Sequence, residues 1–216
     1  MDIYSFKGAI FDLDGTLIDS AHIWNEIDER FLGKRGIPVP EDYAKTVSAM
    51  NFYDAAEYTR NRFGLTETPE DMVREWHEAA LYEYAHNIKA KPHAAELLQS
   101  LKGAGIKLAL ATASHKVLYS AVLKNNGIYD CFDVFASTDE VKRGKGFPDI
   151  YELAARRMEL MPWDCVVFED IIEGVQAAKA GGFAAVAFLN GCFPADDERM
   201  RIEADLCITD YSEIRR

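Results

Sequence analysis

The chain has 216 residues, 49% hydrophobic and 28% charged, within the range of globular domains, and its 14 glycines and 7 prolines exclude a fibrous or low-complexity polypeptide. That length allows one domain, or one domain carrying an insertion, but no two-enzyme fusion. Its 36 acidic against 24 basic residues give −12 at pH 7, a field that repels phosphate backbones and anionic lipid, so neither nucleic acid nor a membrane surface is expected as a partner. A phosphorylated small molecule stays open, because one bound divalent cation reverses the sign of a single pocket.

In chain order, Tyr4 to Leu13 reads as a short apolar strand ending in small and acidic residues. From Ser20 to about Asn87 the pattern is helical, with Ile23, Ile27, Phe31 and Leu32 at 3.6 spacing and breaks at Gly36-Ile37-Pro38 and Gly64. Thr68-Pro69-Glu70 predicts a helix start, with Thr68 as cap and Pro69 at the first position. Beyond Lys91-Pro92 the elements alternate. Helices are predicted over His93 to Lys102, Lys116 to Asn125, Asp149 to Met158 and Glu173 to Ala180, and strands over Lys107 to Ala111, near Val134-Phe135, over Cys165 to Phe168 and over Ala184 to Phe188. Continuous apolar strands between helices suit a parallel sheet covered on both faces. The expected fold is therefore α/β, a doubly wound parallel sheet (core 1–19 and 88–216) with an inserted all-helical segment (20–87). The most apolar stretch, Phe183 to Leu189, is far short of the roughly 20 residues that span a bilayer. Cys131, Cys165, Cys192 and Cys207 are dispersed with no Cys-x-x-Cys, and Met1 to Gly8 has no basic run before an apolar segment, so a reducing, cytoplasmic location is expected.

In open parallel sheets ligands sit at the carboxyl ends of the strands. Reading those ends gives Asp12-Leu13-Asp14-Gly15-Thr16, Thr112-Ala113-Ser114, Lys145 beyond the third strand, and Glu169-Asp170. Asp12 and Asp14, two apart, share one face where the strand alternation persists, and such a pair serves either as hard oxygen ligands for Mg²⁺ or as a carboxylate nucleophile with a proton-transferring neighbour. The residues allow both. An EF-hand is excluded, since Gly15 falls at the fourth loop position and not the sixth, and His77-Glu78 is no zinc-protease motif because Leu81 stands four after His77. Taken singly, each cluster is an ordinary turn, cap or solvated lysine; their succession at consecutive strand ends is what points to a site.

Through FDLDGTLIDS (Phe11 to Ser20), ATAS (Ala111 to Ser114), GKGFPDIY (Gly144 to Tyr151) and FEDIIEGVQAAKAGG (Phe168 to Gly182), the chain resembles the haloacid dehalogenase superfamily, in the phosphatase and β-phosphoglucomutase branch with a helical cap. The resemblance implies Asp12 as nucleophile and Asp14 as acid and base. It implies Thr112, the Ala113 amide and Lys145 as phosphate ligands, and Mg²⁺ held by Asp12, the Asp14 carbonyl and Asp170, with Glu169 in or next to that shell. Four carboxylates facing an anionic phosphate make the cation necessary, since a like pair near 4 Å costs ~4 kcal/mol at an effective dielectric of about 20. Asp14 also separates phosphoryl chemistry from dehalogenation, in which the leaving halide needs no proton.

The expected reaction is hydrolysis of a small phosphorylated metabolite of sugar or polyol type. A phosphosugar mutase is the alternative, and a sensor without turnover the second. A mutase holds a second phosphate with cap cations and keeps a histidine near the carboxylates; the matching positions here are Trp24, Ser48 and Phe52, with Lys45 the substitute if the alignment slips. Trp24, Asn51, Phe52 and Ser114 are the expected substrate contacts, in a pocket also edged by Met50 and Tyr53, whereas Tyr58, Trp76, Tyr82 and Tyr84 read as packing. Gly146, where the branch commonly has proline, suggests a looser Lys145 loop, and Ile171 stands where serine is common. The crossings at 16–20 and 87–92 are expected to hinge the cap. Oligomeric state stays open, a monomer being compatible with the sequence.

Overall fold

The computed structural model describes residues 1–48, 50–191 and 194–215; Cys192 lies outside them. Six parallel strands form one sheet: β1 (Gly8–Phe11), β2 (Lys107–Thr112), β3 (Val134–Ser137), β4 (Cys165–Glu169), β5 (Ala184–Phe188) and β6 (Leu206–Ile208), in the order β3-β2-β1-β4-β5-β6. The order reverses between β1 and β4, so the crevice at their carboxyl ends is where a ligand site is expected. Phe11 lies opposite both Leu110 and Phe168, which brings the residues just past β1, β2 and β4 to one edge.

Strand alternation sorts the core into two clusters. Ala9, Phe11, Leu110 and Phe168 face one side, beneath α5 (Ala94–Gly103) and α6 (Lys116–Asn125), with Phe11 stacked on Phe168 at 4.3 Å. Ile10, Ala109, Val167 and Ala185 face the other, against α7 (Asp149–Arg157) and α8 (Ile172–Ala180). The predicted first strand is shorter than expected, because the Asp2 side chain accepts from the Tyr4 amide at 2.9 Å and winds Ile3–Ser5 into a 3₁₀ turn.

Between β1 and β2 stand α1 (Ala21–Gly33), α2 (Tyr43–Val47), α3 (Phe52–Phe63) and α4 (Pro69–His86). Gly64 ends α3 at φ +64, and Thr68 caps α4, with Pro69 in its first turn. A further break falls between α2 and α3, where the Asn51 side chain accepts from the Asp54 amide and starts a new helix. The two crossings into this helical layer are laced together, Asp19 N–H to Lys89 C=O at 3.0 Å and Lys91 N–H to Leu17 C=O at 2.8 Å. Beyond β5 the structure adds α9 (Pro194–Glu203) and the edge strand β6, neither of which the periodicity revealed. No helix among the described residues is long and apolar enough to cross a membrane.

Candidate active site

Asp12 follows β1 directly, and its backbone N–H still donates to Phe168 C=O at 3.0 Å, so strand pairing fixes its position before any side chain acts. It is 1% exposed. Lys145, 4% exposed, hydrogen-bonds Asp12 Oδ1 and lies 3.0 Å from Glu169 Oε1, which also accepts from the Tyr151 hydroxyl at 2.7 Å. The opposite oxygens, Asp12 Oδ2 and Glu169 Oε2, are buried with no hydrogen-bond partner among the described residues.

One ammonium thus serves several carboxylates, and their titration follows. Burial pushes the Asp12 carboxyl well above its ordinary value; Lys145 opposes this, while Glu169, Asp170 and Asp14 add to it. Asp170 is pushed up to about 7, first by burial and then by Glu169. Burial disfavours the charge on Lys145, but Asp12 and Glu169 outweigh it and hold the ammonium above its ordinary range.

Oxygens of Asp12, Glu169 and Asp170 lie within 4.8 Å of one another. A buried all-carboxylate donor set with two oxygens left without donors fits a small hard cation such as Mg²⁺. Asp170 is aimed by Thr16 Oγ1 at 3.1 Å and Asn190 Nδ2 at 2.8 Å. Gly15 makes this approach possible, since at φ +79 a Cβ would run into the Asp170 carboxylate.

Asp14 has a different environment, all donors. Its Oδ1 accepts from Ser20 Oγ at 2.8 Å, Trp24 Nε1 at 3.3 Å and the Tyr84 hydroxyl, and its Oδ2 from Ser114 Oγ at 2.6 Å. Trp24 and Tyr84 come from the helical layer, Ser114 from the loop after β2. Thr112 is buried, and its Oγ1 accepts the Ser114 amide at 2.9 Å, which leaves its hydroxyl proton free to donate.

A cavity of about 480 Å³ runs from these carboxylates into the helical layer. Asp12, Asp14, Ala113, Ser114, Lys145 and Asp170 form its core end, and Trp24, Met50 and Phe52 stand on the opposite wall. Asn51 is not in that lining: its side chain is committed to Asp54, accepting the amide and donating to the carboxylate at 2.9 Å, and Tyr53 is likewise outside the lining and exposed. Thr112 and Glu169 sit one layer behind the surface. Lys45 pairs with Asp196 at 2.6 Å and does not line the cavity. The Lys145 loop, which Gly146 suggested to be loose, is tied by Arg143 to Asp149 at 2.6 Å and by Arg143 over the Phe147 ring.

Several site residues escaped the sequence reading. Tyr84 was assigned to packing, yet its hydroxyl reaches Asp14. Asn190 follows β5 directly, so the strand-end rule that found the others covers it. Tyr151 was legible as a core aromatic; nothing in the sequence signals that its hydroxyl meets Glu169.

A profile of the haloacid dehalogenase-like hydrolase family matches residues 6–182. The chain is 30% identical over 180 residues to the phosphorylated carbohydrates phosphatase of Thermotoga maritima, covering 83% of each chain. It is 33% identical over 210 residues to hexitol phosphatase A of Escherichia coli, covering 96% of this chain and 93% of that one. Among solved structures, CbbY from Rhodobacter sphaeroides in complex with phosphate superposes with a TM-score of 0.82 at 24% identity, over 97% of this chain and 96% of the other, a likeness of fold. The chain belongs to the haloacid dehalogenase-like hydrolase family, in its phosphatase and β-phosphoglucomutase-like branch. It is a phosphohydrolase.

Proposed function

We propose that the chain is a Mg²⁺-dependent phosphatase that hydrolyses a small phosphorylated metabolite of sugar or polyol type through an aspartyl-phosphate on Asp12. The observation that carries this is the convergence on one cavity of a buried carboxylate with a free oxygen, an ammonium beside it and a second carboxylate held entirely by donors. The kinship with a phosphorylated carbohydrates phosphatase and a hexitol phosphatase supports the substrate class.

In the first step Asp12 attacks phosphorus, the bond to the ester oxygen breaks, and Asp14 gives that oxygen its proton. In the second, Asp14 takes a proton from water as the water oxygen attacks phosphorus, releasing phosphate and restoring the Asp12 carboxylate. Lys145, the Ala113 amide and the Thr112 hydroxyl hold the phosphoryl oxygens, while Ser20, Trp24, Tyr84 and Ser114 fix the Asp14 carboxyl in the orientation that both proton transfers need. Asp12, the Asp14 carbonyl and Asp170, with Glu169 beside them, would hold Mg²⁺, which when bound offsets the charge of carboxylates and phosphate.

Residues 20–87 act on this reading as a cap domain over a core of 1–19 and 88–216, with Trp24, Met50 and Phe52 facing the leaving part. A mutase is less well supported: among the described residues Lys145 is the one Lys or Arg lining the cavity, so a second phosphate lacks a cation of its own. A cytoplasmic setting is supported by three free cysteines, Cys131, Cys165 and Cys207.

The test is turnover of sugar and polyol monophosphates with Mg²⁺, with and without chelator, followed by the mass of protein quenched during turnover. Activity lost in chelator, restored by Mg²⁺ and absent in Asp12→Asn, with a phosphoryl adduct on Asp12, is expected; an active Asp12→Asn protein overturns the proposal.

A further inference from the structure

Asp28 plays no part in the mechanism above, yet it lines the same cavity on its helical side. It sits on α1 one turn beyond Trp24, so the two share the inward face. It is 8% exposed, and no described residue hydrogen-bonds it or forms an ion pair with it. The helical side of the cavity is otherwise lined by apolar Ile27, Val47, Ala55 and Trp76 and by Asn25, Glu41, Tyr43 and Ser48, none of which is a cation.

The Tyr43 hydroxyl, a candidate donor on a residue lining the same cavity, is already used. Thr59 donates its hydroxyl proton to Ala55 C=O at 2.6 Å, so the Tyr43 hydroxyl, 2.7 Å from Thr59 Oγ1, must spend its own proton there. The Asp28 carboxyl thus has no donor among the described residues, and a hydroxyl or ammonium on a molecule in the cavity can supply one. Burial pushes the Asp28 carboxyl up to about 7, as befits a charge without a counter-ion.

We propose that Asp28 is the specificity-determining residue of the cavity, accepting hydrogen bonds from hydroxyl or ammonium groups at the end of the substrate remote from phosphorus, and so selecting a polyol or amino-polyol phosphate over an apolar one. This rests on the phosphatase reading and names its substrate class more closely. The volume, about 480 Å³, is within the range of sites that enclose a small molecule and leaves room for the remote end of a hexose-sized ester. A buried carboxylate on that wall also repels a second phosphate, which excludes bisphosphates by charge.

The experiment is the ratio of kcat/KM for glucitol 6-phosphate, and for glucosamine 6-phosphate, to that for n-hexyl phosphate, which has no remote donors, in wild type and Asp28→Asn, with Asp28→Leu as the second variant. The wild-type ratio is expected to fall about 10- to 100-fold in the variants, the loss appearing chiefly in KM. A larger loss for glucosamine 6-phosphate in Asp28→Asn identifies ammonium as the preferred donor, and a larger loss for glucitol 6-phosphate identifies hydroxyl. A ratio unchanged in both variants, including a uniform drop on all three esters, overturns the proposal. Turnover of p-nitrophenyl phosphate separates the two readings, since its absence from wild type condemns the phosphatase reading itself. The contact is then read without turnover, by the rise in Tm with the same esters: a larger rise with glucitol or glucosamine 6-phosphate in wild type than in the variants upholds the role of Asp28, and equal rises refute it.

Discussion

Replacing Asp28 by asparagine should make the protein more stable at alkaline pH. Raising a carboxyl from its ordinary 3.8 to about 7 corresponds to about 4 kcal/mol of destabilisation once both folded and unfolded chains are ionised. The asparagine amide is itself a buried polar group costing roughly 1–3 kcal/mol, so a net gain of about 2 kcal/mol remains, or about 4–8 °C in Tm for a chain of this size. The sign fixes the pH window. Between about pH 4 and 7 the folded chain keeps a proton that the unfolded chain has released, so this group's contribution to stability falls as pH rises through that interval and is least favourable above it. The advantage of Asp28→Asn should therefore grow by roughly 2–3 kcal/mol from about pH 5 to about pH 8. Denaturant unfolding of both proteins at the two pH values measures it. A wild type as stable as the variant at the higher pH would mean that the carboxylate has a partner, and the argument for its role in recognition would fail with it.

Lys145→Ala should destabilise the fold by about 3–5 kcal/mol near neutral pH, because Asp12 and Glu169 would remain buried with no cation, and calorimetry without divalent metal reads this directly. Gly15→Ala should abolish phosphatase turnover and cost about 1–3 kcal/mol, through its φ of +79 and displacement of Asp170; a variant with wild-type kcat would show that Asp170 need not sit where it does. Tyr84→Phe should lower kcat about tenfold on every ester alike, with KM little altered, since a hydroxyl of the cluster holding Asp14 is removed; a loss confined to one ester would reassign Tyr84 to substrate binding.

The core site was legible because it obeys a rule of position. Asp12, Thr112, Glu169 and Asp170 stand at or just past the ends of apolar runs, and apolar runs are what sequence periodicity reveals. Lys145, on a longer loop, was reached only by its place in the chain order. The helical layer was less legible, since its contacts depend on how four helices cross and periodicity fixes only which face is inward. Asn51 illustrates the limit: a polar residue in a promising stretch, drawn away because helix capping competes for the same side chain. Asp28 left a fainter mark, a carboxylate on the face carrying Ile23, Ile27 and Phe31, which is where amphipathicity is broken. The α9 and β6 segment stayed hidden because PADDERMRIE is polar almost throughout and β6 is three residues long.

The Asp14 carboxylate is gripped from both layers at once, by Ser114 below and by Trp24 and Tyr84 above. On the proposed function, the helices α1 and α4 that face the leaving group are therefore the same ones that supply two donors of the clamp on the proton-carrying Asp14. Any drift of α1 or α4 that suits the cavity to a new ester also moves the clamp. Changes in selectivity by this route carry changes in rate with them, and the two are separable only by substitutions, such as those at residue 28, that leave both helix axes in place.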